Sequence, residues 1–134
     1  MLRKIDHIAI AVKSLDESLT FFRDRLGLSV EKIVEVPSEG VRVAFLPIGD
    51  TEIELLEPLA PDSPVAKFIE KKGPGLHHVA FDVADVAGEL ERLAGQGVST
   101  LDARPRKGAV ADVGFVHPRA SGGVLVELSQ RKKP

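Results

Sequence analysis

Cysteine is missing from the 134 residues, as are tryptophan, tyrosine and asparagine, while methionine occurs once and glutamine twice. Without thiols there is no disulfide framework, no thiolate metal site and no cysteine nucleophile, so any metal must rest on nitrogen and oxygen ligands. Six phenylalanines are the whole aromatic content and the formal net charge is −2. That combination supplies neither stacking platforms nor a basic field, and no nucleic-acid partner is expected. No apolar run approaches the length that spans a bilayer, and the opening MLRKIDHIAIAV turns polar too early for a secretory leader. The expectation is no membrane partner and a cytoplasmic location. Depletion of Asn, Gln, Met and Cys also fits a thermophile, although drift in composition produces the same pattern.

What is present describes one packed domain over residues 1–134, with 43% hydrophobic and 28% charged residues. In IDHIAIAV, Ile8, Ile10 and Val12 point one way and His7, Ala9 and Ala11 the other, which predicts a strand. Ser14 and Glu17 form a capping-box signal, Leu15, Leu19, Phe22 and Leu26 share a helical face, and Gly27 is a suitable stop. A helix over about 15–26 follows. Next come three β-rich runs, LSVEKIVEV, VRVAFLPI and TEIELLEP, completing βαβββ over about residues 1–58. A connector spans about 59–75, with Ser63 and Pro64 placed to start a short helix.

The pattern then repeats over about residues 76–130. His78 matches His7, Ala80 matches Ala9 and Val83 matches Val12, each 71 residues on. Asp85 is placed to cap a helix bearing Val86, Leu90 and Leu93, and in LVEL Glu127 echoes Glu54 of IELL. An internal duplication of this period organises the sequence. The fold class expected is α+β: two tandem βαβββ modules forming an open, curved sheet around a metal site, with the helices on the outer face.

The chemistry follows from the alternation. On both first strands the large apolar residues (Ile8, Ile10, Val12; Val79, Phe81, Val83) suit packing against helices, so the histidines look the other way, beside small Ala9 and Ala80. Single strand histidines are more often structural than ligating. Matched His and matched Glu in two halves are harder to explain by packing, because uncompensated buried carboxylates cost several kcal/mol. A pseudo-twofold would bring His7, Glu54, His78 and Glu127 together as an N2O2 set for one divalent ion, with positions left for water or substrate. Such a set suits Co, Mn, Ni, Fe or Zn. Glu52 shares the face of Glu54, so that strand also reads as a solvated edge, while His77 and His117 read as structural or exposed. Arg104, Arg106, Lys107 and Arg119 are either anion-binding or ordinary surface cations. No glycine-rich nucleotide signature accompanies them, so no cofactor-binding residues are assigned. The terminal RKKP reads as a solvated tail, and an exposed first strand is a candidate for pairing in a homodimer.

The duplicated pattern with these pairs resembles the vicinal-oxygen-chelate superfamily, which includes glyoxalase I, extradiol dioxygenases and the fosfomycin- and bleomycin-resistance proteins. Within it, the blocks DHIAIAV, GVRVAFLPIGDTEIELLEPL, DSPVAKFIEKKGPGLHHVAF and HPRASGGVLVEL, spread over nearly the whole chain, are similar to the methylmalonyl-CoA epimerase family. The resemblance implies an isomerase that interconverts the C2 epimers of this coenzyme A thioester, with cobalt favoured and His7, Glu54, His78 and Glu127 at the ligand positions. It also associates Glu127 with proton transfer, as the catalytic acid/base. Where some relatives carry a second catalytic Glu this chain has Val43, and GAVAD at 108–112 is poorer in glycine than its counterparts. Two other functions fit the same pattern: a glyoxalase I-type lyase acting on a glutathione hemithioacetal, and a non-catalytic drug-binding protein. An extradiol dioxygenase fits less well, since it needs a three-ligand facial triad and redox-active iron.

Overall fold

A computed structural model describes residues 1–108 and 110–132. It contains β1 (Leu2–Ala11), α1 (Leu15–Leu19), β2 (Lys32–Val36), β3 (Val41–Ile48), β4 (Thr51–Pro58), α2 (Pro64–Lys72), β5 (Gly75–Val83), α3 (Val86–Gly95), β6 (Arg106–Lys107), β7 (Ala111–Val116), α4 (Pro118–Ser121) and β8 (Val126–Arg131). The α+β class and the doubled βαβββ order are therefore present. The chain divides into two compact units, residues 7–77 and residues 1–6 with 78–134.

In the unit of residues 7–77 the strand order is β2-β3-β4-β1. β1 runs parallel to β4, with His7 opposite Glu52 and Ala9 opposite Glu54. This pairing gives β1 a hydrogen-bonded neighbour on its β4 side. One sheet face packs Ile10, Val12, Ala44, Leu46 and Leu55 against Leu15 and Leu19 of α1. Ser14 caps that helix through its hydroxyl, which accepts from the Glu17 N–H. The Glu57 carboxylate accepts from the Leu15 N–H as well, satisfying a second donor at the helix start.

After Leu19 the helix widens into π-helical turns over Thr20–Arg25. The Leu26 N–H donates to the Phe21 carbonyl, five residues back. The wider register swings Leu26 off the buried stripe, leaving it 56% exposed, and Leu28 and Val30 join Phe22 against the core instead. For the same reason Leu28–Val30 stays outside the ladder and β2 begins only at Lys32.

The opposite face of this unit is where α2 lies. Val65, Phe68 and Ile69 pack with Ala9, Ala11, Val41, Val43 and Leu56. The room that small Ala9 leaves above the sheet is thus taken by the connector helix, which Ser63 caps by accepting from the Ala66 N–H. The tight crossing at Gly40, with φ of 67°, fits against this cap: a Cβ there would lie 2.8 Å from that of Ser63.

In the other unit β5, β8, β7 and β6 follow one another. Val83, Leu128 and Val116 pack against Val86 and Leu90 of α3, which starts on Asp85 as expected. Four carboxylates here are gripped by arginines: Asp6 by Arg131, Asp82 by Arg3, Glu89 by Arg92 and Asp102 by Arg106. Arg131 is therefore a fixed partner and not part of a solvated tail. Ala109 of the GAVAD loop, and Lys133 and Pro134 of the terminal RKKP, lie outside the described residues.

Candidate functional site

The sequence-predicted residues pair within each half. In the unit of residues 7–77, His7 Nδ1 lies 3.2 Å from Glu54 Oε2. Strand pairing brings this about: Glu54 sits directly opposite Ala9, two residues along from His7 on the same face of β1. The His7 side chain is 7% exposed and that of Glu54 13%. Glu52 lies opposite His7 across the same strand pair.

In the other unit, His78 Nε2 lies 3.2 Å from Glu127 Oε1. Glu127 is opposite Ala80 on β5 and opposite Phe115 on β7. Both side chains are below 10% exposed. The Phe115 ring meets the His78 imidazole edge-on at 5.6 Å. Because Phe81, Val126 and Leu128 serve the α3 side, strand alternation puts His78, Ala80, Glu127 and Phe115 together on the opposite face.

Each pair suits a cation. Two ligands at right angles on an ion with bonds of about 2.1 Å stand about 3.0 Å apart. The observed 3.2 Å in both pairs is close to that spacing. Neutral imidazole with carboxylate is a donor set for the borderline divalent metals. The two other histidines do different work. His77 packs its ring on Phe68 at 4.7 Å, and His117 Nδ1 accepts the Arg119 N–H at the start of α4. A cavity of 430 Å³ in the second unit is lined by Arg3, Ala84, Asp112, Gln130, Arg131 and Lys132 and includes neither His78 nor Glu127. Sequence reasoning missed Phe115 and Asp102, whose roles depend on cross-strand neighbours. Glu127 opposite Phe115 was accessible only once β7 and β8 were in register.

Comparison with known proteins adds the family. The glyoxalase/bleomycin resistance protein/dioxygenase superfamily matches residues 6–116. The chain belongs to this superfamily. It is 40% identical to the mitochondrial methylmalonyl-CoA epimerase of Mus musculus, over 96% of this chain and 74% of the relative. It is 38% identical to an ethylmalonyl-CoA/methylmalonyl-CoA epimerase of Cereibacter sphaeroides, over 97% and 99% of the two chains. Among solved structures, a variant of Streptomyces coelicolor methylmalonyl-CoA epimerase in complex with 2-nitronate-propionyl-CoA superposes with a TM-score of 0.93 at 37% identity, covering 99% of this chain and 100% of that one. No helix among the described residues is long and apolar enough to cross a membrane.

Proposed function

We propose that the chain is a metal-dependent epimerase that interconverts the C2 epimers of methylmalonyl-CoA, with His7, Glu54, His78 and Glu127 holding one divalent ion. The observation that carries this reading is the repetition of a shielded imidazole beside a carboxylate at the same 3.2 Å in both halves of one chain. Relatives at 37–40% identity over nearly the whole chain bear the name of that enzyme. His7, His78 and Glu127 are buried and of the residue types that ligate metals. On this reading the two units act as a single domain. Cobalt is the ion favoured, within the group of Co, Mn, Ni, Fe and Zn that such donors accept.

The chemistry asked of these residues is limited. The C2 proton lies between a thioester carbonyl and a carboxylate, and its removal places negative charge on the thioester oxygen. A divalent ion supplies a Lewis acid for that charge. Glu127, buried beside His78, takes the proton as general base and returns it as general acid. Epimerisation also requires a proton donor on the opposite face of C2. Residue 43 is not that donor, since Val43 carries no ionisable group and packs under α2. The decisive experiment follows C2 by proton NMR in heavy water. Metal-loaded protein is expected to exchange the C2 proton and interconvert the epimers, and to stop after chelation. Turnover of a glutathione hemithioacetal without C2 exchange would replace this reading with a lyase.

The working location proposed is the cytoplasm, and the partner beyond the substrate is a second copy of the chain. Phe21 and Leu26, 52% and 56% exposed in one helical segment, support such a contact. Sedimentation at about twice 14.4 kDa would agree with it, and sedimentation at the monomer mass would reject it.

A further inference from the structure

Six arginines among the described residues hold a carboxylate, and one does so differently. Arg3, Arg23, Arg42, Arg92 and Arg131 each engage their partner through Nε and a terminal nitrogen together. Arg106 touches Asp102 through Nε alone, at 2.6 Å. Its two terminal nitrogens have no hydrogen-bond partner among the described residues, and its side chain is 53% exposed.

The surroundings of Arg106 make this arrangement rigid. Asp102 is 8% exposed in its side chain, and its second oxygen accepts from the Phe115 main-chain N–H at 2.9 Å, so the carboxylate that orients Arg106 is itself fixed to β7. The guanidinium carbon lies 5.8 Å from the centre of the Phe115 ring, and the same ring abuts His78. Register confirms the common face, because Arg106 is opposite Val113, Val113 opposite Ser129, and Phe115 opposite Glu127. A half-exposed fork of N–H donors is thus held one aromatic ring away from the His78–Glu127 pair.

We propose that Arg106 is an anchor for an oxyanion of the substrate, its free terminal nitrogens taking two oxygens of a carboxylate or phosphate in the bidentate manner that guanidinium favours. The inference rests on the epimerase reading, in that a coenzyme A thioester of a dicarboxylic acid carries both kinds of oxyanion. Asp102 orients the fork and Phe115 sets its height above the sheet. Arg104, Lys107 and Arg119 are exposed and have no such support.

The test compares wild type, Arg106→Gln and Arg106→Lys as metal-loaded proteins on methylmalonyl-CoA and on methylmalonyl-pantetheine, which keeps the carboxylate and lacks the phosphates. Loss of a charged, bidentate contact is expected to raise KM for the full substrate about 10- to 100-fold with kcat retained, and lysine is expected to recover part of it. If the increase persists on the pantetheine thioester, the anion is the carboxylate. If it vanishes there, the anion is a phosphate. Unchanged KM on both substrates, or a fall in kcat at unchanged KM, overturns the proposal, the second because it would mark a positional effect through Phe115 on His78. Calorimetric binding of methylmalonyl-CoA reads the same contrast without turnover. A wild type that binds the thioester but leaves C2 untouched would therefore defeat the epimerase reading and still decide the anchor.

Discussion

Arg131 and Asp6 stand 125 residues apart, and the guanidinium of one grips the carboxylate of the other through hydrogen bonds of 2.8 and 3.0 Å. Asp6 is 3% exposed, so the beginning of β1 is fixed to the end of β8 by a charge that water barely reaches. Arg131→Ala leaves that carboxylate short of its cation, at an expected cost of about 1–3 kcal/mol. The lower part of that range is expected, because the arginine side chain is itself 41% exposed and partly screened. Urea denaturation of the variant and of Asp6→Asn checks it. The double variant should lose less than the sum of the two, and strict additivity would mean that the pair contributes nothing as a pair.

Gly114 on β7 gives a second stability prediction. A Cβ there would lie 2.8 Å from Leu90 Cδ1 and 3.1 Å from Val86 Cγ1. Neither neighbour is free to retreat, since Leu90 is 1% and Val86 0% exposed under α3. Gly114→Ala is expected to cost about 1–3 kcal/mol through overpacking. Adding Leu90→Val, which shortens the obstructing side chain, should recover part of it. Metal affinity of the folded fraction should stay put, because the strain falls on the α3 side of the sheet. Thermal unfolding and metal titration separate the two effects.

Glu89 supplies the acid-sensitive element. Its carboxyl is held below the usual glutamate range, first by the hydrogen bond from the Met1 amine and then by that from Arg92. A carboxylate whose value is lowered by folding stabilises the native state above its unfolded range, and the contribution fades as pH falls through the folded value. Glu89→Gln should therefore be less stable than wild type near neutrality and converge with it in acid, below the ordinary value of 4.5. Urea midpoints measured across that range test it. A gap that stays constant would assign the loss to packing.

Strand periodicity made much of this architecture legible. Alternation in IDHIAIAV and LHHVAFDV fixed which faces carry His7 and His78, and the residues that cap α1, α2 and α3 are the ones their spacing indicates. Glu54 and Glu127 could be paired with those histidines because each half repeats. Other features depend on choices that a pattern of residue types does not encode. The π-helical turns after Leu19 trade Leu26 for Leu28 in the core, a register decision made by packing with Phe22 and Val30. The face taken by α2 follows from Ala9 and Ala11 leaving space for Phe68 and Ile69, where the sequence reading left that space open. The single-point grip on Arg106 requires knowing where Asp102 and Phe115 lie.

The metal reading makes a direct demand on His78. The protein should bind about one divalent ion per chain, and His78→Ala should weaken binding by more than the 10- to 100-fold that loss of an outer partner typically costs. Phe115→Leu, which removes the ring beside the imidazole and no donor atom, should cost less. Calorimetry with Co and with Zn on chelator-treated protein gives both numbers. Equal affinity in wild type and in His7→Ala/His78→Ala would reduce the paired histidines to sheet patterning.

Glu127→Gln separates binding from proton transfer, because glutamine keeps an oxygen able to ligate while losing the carboxylate that accepts a proton. The side chain has little alternative role in packing, since Leu128 and Val126 serve the α3 face and Glu127 lies with His78 and Phe115 on the other. Metal affinity should therefore fall modestly, and epimerisation by about 10²–10⁴, the usual contribution of a general acid or base. Measurements belong at saturating metal, so that lost occupancy is not read as lost chemistry. If Glu127 serves one face of C2, the two epimers will respond unequally in heavy water. The epimer whose proton Glu127 removes should stop exchanging, while the other still exchanges slowly through the opposite face. Starting proton NMR from each epimer in turn assigns the face. Full exchange from both epimers in metal-saturated Glu127→Gln would remove Glu127 as the base and leave it, at most, a ligand.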